Sequence, residues 1–195
     1  MVRRKIIMST AVDYKHYREE IIDGKVYYMP PSANPIHGRI IGNVYYVFKS
    51  YLKGKTCQVF TDTIDVYLDD KKEDRVIPDV SVLCNKDCFT NRGYEGVPSL
   101  VVEVLSPTSV SRDRKIKFNL YEKYGVKEYW IIDPVNKVLE QYVLIDGKYS
   151  LEGTFVKLEE YDKERINENE ISEFKSSFKT SIFDELVVNI DDIFE

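Results

Sequence analysis

Leu100-Val101-Val102-Glu103-Val104-Leu105 is the stretch on which the fold turns. It is almost continuously apolar and rich in β-branched residues, which predicts a central strand covered on both faces. Pro107 ends it. Ser111 is placed to cap a helix over residues 112–124, and Gly125 is placed to close that helix. Residues 128–133, Glu-Tyr-Trp-Ile-Ile-Asp, read as the next strand. Two strands joined through a helix imply a right-handed parallel crossover.

Upstream, residues 76–84 read as a strand carrying Pro78-Asp79, and residues 58–68 as another, alternating near its end through Ile64, Val66 and Leu68. Residues 69–74 read as a solvated turn and residues 87–97 as a polar surface loop. From 36 to 51 the apolar residues Ile40, Ile41, Val44, Val47, Phe48 and Tyr51 recur at helical spacing, predicting a core-facing helix. Before it, Asp23-Gly24 marks the turn of a hairpin over residues 20–29, with Pro30, Pro31 and Pro35 forcing an extended connection. Residues 13–19 have the composition of a short helix. Downstream, residues 138–145 and 149–153 form a hairpin through Asp146-Gly147, peripheral to the core. The order predicts an α/β fold, a mixed sheet with helices packed on it. Nothing marks a domain boundary, so residues 1–195 are expected to form one domain.

The chain has 195 residues, 43% of them hydrophobic and 31% charged, the balance of a folded protein rather than a disordered one. No apolar run is long enough to span a bilayer, and the apolar part of MVRRKIIMST is too short for a signal peptide, so no membrane association and a cytoplasmic location are expected. Three cysteines, Cys57, Cys84 and Cys88, form no disulfide framework, and the odd count points to reduced thiols. A zinc site from Cys84, Cys88, His16 and His37 would need tighter ligand pairs than these. Net charge is −5, divided between −8 over residues 159–195 and +3 over the remainder. A mildly basic body is compatible with a polyanionic partner without demanding one. The acidic tail is read as an aid to solubility.

Glu103 carries the chemistry. A carboxylate in the middle of a Val/Leu strand is costly to bury unless it is paired or bound to a cation. Asp79, at the start of the preceding strand, is placed where it can lie across the sheet from Glu103. Two close carboxylates repel, so the pair makes sense with a shared cation or proton, and oxygen ligands favour Mg²⁺ or Mn²⁺. On the crossover helix Asp113, Lys117 and Tyr121 fall on one stripe beside the apolar stripe of Ile116, Leu120 and Tyr124. Lys117 therefore emerges beside the buried face, able to reach over the sheet edge. Taken singly, Glu103 is read as a structural ion pair and Lys117 as an exposed partner of Asp113.

Taken in order, Pro78-Asp79, Leu100 through Pro107 around Glu103, Arg112-Asp113 with Lys117 and Tyr121, and Gly125 through Asp133 resemble a large bacterial family assigned as restriction endonucleases, within the PD-(D/E)xK nuclease superfamily. Residues 17–29 with His37 are similar to its N-terminal motif, and Ser181 through Leu186 to its closing segment. The resemblance implies a restriction-endonuclease-like mixed sheet flanked by helices, acting on DNA. It implies that Asp79 and Glu103, with the backbone carbonyl of Val104, hold Mg²⁺ and activate a water. Glu20 would complete the metal shell or hold a further water. The superfamily pattern has lysine two residues after the glutamate, where this chain has Leu105; Lys117 on the following helix is the substitute. His37 would contact phosphate or cap local structure, and Asp113 and Tyr121 would be accessory, Tyr121 steadying Lys117. Double-strand cutting needs two sites, so a homodimer is expected. The other readings are a catalytically inactive nuclease-fold binding module and hydrolysis of another phosphoester.

Overall fold

The computed structural model describes residues 17–29, 34–69, 71, 73–171 and 173–195. In chain order the elements are β1 (Arg18–Ile22), β2 (Lys25–Met29), α1 (Pro35–Tyr51), β3 (Gln58–Thr61), β4 (Val66–Tyr67), β5 (Arg75–Val76), β6 (Val80–Leu83), β7 (Phe89–Thr90), β8 (Gly93–Glu95) and β9 (Leu100–Val104). A π-helical turn (Arg112–Lys117) then runs into α2 (Phe118–Tyr124). After it come β10 (Glu128–Asp133), β11 (Val138–Ile145), β12 (Lys148–Val156), α3 (Glu160–Lys163), α4 (Glu168–Ile171), β13 (Ser177–Lys179), β14 (Val187–Asn189) and α5 (Ile190–Phe194).

The main sheet has the order β12-β11-β10-β9-β6-β3, with β9 and β10 parallel as the intervening helix requires. Every residue of β9 is buried. Hairpin β11–β12 is not peripheral: β11 pairs along the whole of β10, and Leu139 and Phe155 enter the core. One face of the sheet packs against α1 and α5, through Ile40, Val44 and Phe48 against Val80, Val82, Leu100 and Val102. The other face meets α2 and a second sheet of order β2-β1-β5-β4-β8-β7.

That second sheet was not legible as such, because it is assembled from pieces of segments expected to be continuous. Residues 58–68 break at 62–65, leaving β3 in the main sheet and β4 in the second. Residues 76–84 divide likewise into β5 and β6, with Ile77-Pro78-Asp79 between them. Proline cannot donate to a ladder, so the chain changes sheets there. The loop expected over 87–97 holds a 3₁₀ turn and the hairpin β7–β8, and its Tyr94 is buried.

Smaller departures have local causes. Pro35 does not extend the connection but opens α1, behind an Asn34 side chain that accepts from Ile36 N. Residues 13–16 and 30–33 lie outside the described residues, and Arg18 and Glu19 of the expected short helix belong to β1. Ser111 makes no capping hydrogen bond; Gly125 does close α2, at φ +82°. Asp74, placed in a solvated turn by its charged neighbours, is 3% exposed and accepts from Asp23 N and the Tyr124 hydroxyl, both at 2.6 Å. Cys57 and Cys84 flank β3 and β6 one position beyond the Gln58–Leu83 pair, and they form a disulfide. The expectation of three reduced thiols fails because a count of cysteines takes no notice of strand register. Cys88 is free.

Candidate active site

Side chains alternate along β9: Leu100, Val102 and Val104 face α1, while Val101 and Leu105 face the second sheet. Glu103 shares the parity of the second group. The β6–β9 register, Val80 against Val102, continues to set Asp79 opposite Glu103 on the same face. Because β6 stops at Val80, the amide of Val104 has no ladder partner there; it donates instead to Asp79 Oδ2 at 2.7 Å. From the first turn of α1, His37 Nε2 comes within 3.0 Å of the Val104 carbonyl oxygen and 3.4 Å of Asp79 Oδ2. Asp79, Glu103, Val104, His37, Asp113 and Lys117 all line one cavity of about 530 Å³.

Lys117 does not reach over the sheet edge. It is 1% exposed, and its ammonium donates to Glu103 Oε1 and lies the same 2.8 Å from Glu20 Oε1, with Asp113 Oδ1 at 3.9 Å. The reading of an exposed lysine paired with Asp113 is thereby corrected: Asp113 is its most distant acid, and both are buried. The π-turn explains the difference. Its i→i+5 hydrogen bonding, with Phe118 N donating to Asp113 O, rotates the start of the helix relative to α-helical spacing and turns the stripe inward. Tyr121 donates its hydroxyl to Glu103 Oε1 at 2.8 Å, so it steadies the glutamate rather than the lysine. Glu20, fully buried on β1, also accepts from Ile77 N at 3.0 Å, holding the segment that carries Asp79.

The electrostatics follow from this crowding. Burial pushes the Glu103 carboxyl well above the usual carboxylate range; Lys117 opposes this, while Asp113, Asp79 and Glu20 add to it. Burial likewise raises Asp113 against the pull of Lys117. Burial disfavours the Lys117 ammonium, yet Glu103, Glu20 and Asp113 together more than offset it and hold it protonated. For His37 burial lowers the pKa, but the hydrogen bond and charge of Asp79 and the Val104 carbonyl outweigh it, leaving a net rise.

Four carboxylates, Glu20, Asp79, Glu103 and Asp113, thus face two cations, Lys117 and Arg112, a formal excess of two negative charges. Glu20 Oε2, Asp113 Oδ1 and Arg112 Nε are buried without a hydrogen-bond partner among the described residues. The charge excess and the two orphaned carboxylate oxygens suit a cation, whereas Arg112 Nε, a donor, suits an anion. The Asp79 carboxylate and Val104 carbonyl are also hard oxygen donors, of the kind Mg²⁺ and Mn²⁺ take. Among the described residues, no three His, Cys, Asp or Glu side chains converge to hold a metal ion, so a site here rests on two carboxylates and the Val104 carbonyl. Glu20 turns Oε1 to Lys117 and to Ile77 N, leaving Oε2 without a partner among the described residues. Cys84, in its disulfide, is removed from any zinc set, and His16 lies outside the described residues. No helix among the described residues is long and apolar enough to cross a membrane.

Residues 9–173 match the Uma2 family, whose description reads "Putative restriction endonuclease". The uncharacterised Synechocystis protein slr1290 is 28% identical over 130 residues, 67% of this chain and 61% of that protein, so the match spans less than two thirds of the relative's length. A second uncharacterised Synechocystis protein, sll1609, is 26% identical over 142 residues, 68% of this chain and 79% of that one. A crystal structure from Anabaena variabilis, described as a "putative nuclease belonging to DUF820", superposes with a TM-score of 0.66 at 20% identity, covering 90% of this chain and 89% of that one. The mixed α/β sheet with flanking helices is therefore a fold shared with that protein.

Proposed function

The chain belongs to the Uma2 family of restriction-endonuclease-type proteins, and on that premise we propose that it is a divalent-metal-dependent DNA endonuclease acting as a single domain. The observation that carries this reading is the meeting of Asp79, the Val104 carbonyl and Glu103 with a buried Lys117 in one cavity. Asp79 and Glu103, with the Val104 carbonyl, would hold Mg²⁺ or Mn²⁺. Bound there, such a cation would supply polarisation of a phosphodiester oxygen and a water made nucleophilic near neutral pH.

The protein's own groups do the rest. The Val104 amide fixes the rotamer of Asp79. Tyr121 and Lys117 fix one oxygen of Glu103. Lys117, permanently charged beside the reaction space, orients the attacking water and stabilises negative charge as it develops on the phosphate. Glu20 and Asp113 hold Lys117 in place and keep it protonated. His37 stands between Asp79 and the Val104 carbonyl and braces both, and its ring would offer a donor to a phosphate oxygen. Cutting both strands needs two such sites, and a homodimer supplies them.

The test is conversion of supercoiled plasmid DNA to nicked and linear forms with Mg²⁺ or Mn²⁺. Asp79→Ala is expected to lower the rate by at least about 100-fold. Equal activity in that variant would reject the assigned site. One observation favours a second reading, a nuclease-fold binding module without catalysis: Lys117 already pairs with both Glu20 and Glu103. Calorimetry decides between them, since a module of that kind binds DNA but takes up no Mn²⁺.

A further inference from the structure

Arg112 lines the cavity at the first position of the π-turn, just after the helical residues Val110 and Ser111. In an α-helix, residues five apart lie on different faces. With i→i+5 hydrogen bonding they stack, so the π-turn presents Arg112 and Lys117 to the same space. The arginine side chain is 16% exposed and its Nε is buried with no hydrogen-bond partner among the described residues. Its nearest acid is Glu20, whose Oε2 lies 3.8 Å away, beyond hydrogen-bond range, and is itself without a partner. The guanidinium instead lies 6.0 Å from the centre of the Tyr27 ring, which orients it without using a single donor.

A guanidinium carries five N–H donors in a planar fork, and leaving even its buried Nε unbonded is costly. The fork matches two oxygens of one phosphate. Here it faces the cavity that holds Asp79, Glu103 and Lys117. We propose that Arg112 is a phosphate-binding residue of this site, taking the non-bridging oxygens of a backbone phosphodiester and so seating the nucleic-acid strand beside Lys117. This rests on the nuclease reading above and adds a residue which that reading leaves without a role. Glu20 acts as the resting counter-charge, close enough to hold the guanidinium and too far to use up its donors.

The experiment is fluorescence anisotropy of a fluorescein-labelled 20-base-pair duplex in Ca²⁺ across a salt series, with wild type, Arg112→Gln, Arg112→Lys and Lys115→Gln. Arg112→Gln is expected to weaken binding about tenfold and to reduce the slope of log K against log salt by about one, the loss of one phosphate contact. Arg112→Lys keeps the slope and loses part of the affinity, because the charge remains but the fork does not. Lys115→Gln, the same charge change on an exposed side chain of the same turn, leaves both within twofold. Thermal melting checks that each variant is folded. If Arg112→Gln binds with wild-type affinity and slope, or if Lys115→Gln behaves the same way as it does, the Arg112 assignment is overturned while the nuclease reading stands. If wild type itself does not bind the duplex, the nuclease reading fails first and takes the assignment with it.

Discussion

Glu103 and Glu128 lie on adjacent parallel strands, β9 and β10, both almost without exposure, and their surroundings differ in kind. Glu128 Oε1 accepts from Trp130 Nε1 and Gln141 Nε2, both at 2.7 Å; its Oε2 accepts from the amide of Ser181 at 2.7 Å and from its hydroxyl at 2.6 Å. Four neutral donors satisfy it, no cation among the described residues forms a salt bridge with it, and the C-terminal segment is pinned to the sheet. Among the described residues Glu103 accepts through Oε1, from Lys117 and Tyr121, stands among three other acids and opens on a cavity. A buried carboxylate with every lone pair met is finished as structure. One left among orphaned neighbours retains unfavourable energy that a ligand can relieve.

The largest expected effect separates the two by activity. Glu103→Gln should lower metal-dependent plasmid cleavage by about 100-fold or more while the protein stays folded. Glu128→Ala should leave the activity of the folded fraction within about twofold. It should also destabilise by about 3 kcal/mol in urea unfolding, because it strands several buried donors. If Glu128→Ala proved as inactive as Glu103→Gln, the contrast would be broken.

Lys117→Met sharpens it next. Removing one partner of a buried ion pair costs about 3–5 kcal/mol, since Glu20 and Glu103 are left buried and unpaired. Unlike the loss in Glu128→Ala, part of this one should be recovered when Mn²⁺ replaces EDTA, as a bound cation stabilises only the folded state. Thermal melting in the two buffers reads the difference directly.

A smaller effect appears in pH. Because burial raises Glu103, its carboxyl holds a proton at pH values where an ordinary glutamate is ionised, and a metal must displace it. Mn²⁺ affinity should therefore rise with pH, by up to about tenfold per unit, until Glu103 is ionised, and then level off. Calorimetry in buffers of different ionisation enthalpy counts the released proton. The smallest effect is that of His37 in metal-free protein. Its raised pKa contributes stability that is fully present below the unfolded histidine value of about 6.5 and is lost as pH rises through the folded value. His37→Gln should flatten this part of the stability–pH curve, and an unchanged curve would show that the His37–Asp79 contact carries no net energy.

The placement of much of the candidate site was legible because its residues break local rules. A glutamate inside Leu100–Leu105 and an aspartate after Pro78 conflict with their surroundings, and both lie where the conflict suggested. Glu20, Lys117 and Tyr121 were recoverable through resemblance, although the reach of Lys117 was misjudged: α-helical spacing was assumed where the helix begins as a π-turn. Arg112 escaped for the same reason, since its orientation depends on that turn. Glu128 also escaped, yet it carried a signal. It heads a run, Tyr129 to Ile132, that is buried throughout.

The sequence by itself determined the central parallel pair, the core helix α1, the left-handed turn at Asp23-Gly24 and the closing of α2 by Gly125, because periodicity, chirality and turn chemistry act over a few residues. Tertiary structure alone decided that β4 and β5 leave the main sheet, that Cys57 meets Cys84, and that Lys117 neutralises Glu20 across a sequence distance of 97 residues. Those outcomes depend on register between distant strands and on which buried charges must share one space, and neither is encoded in any short window of the chain.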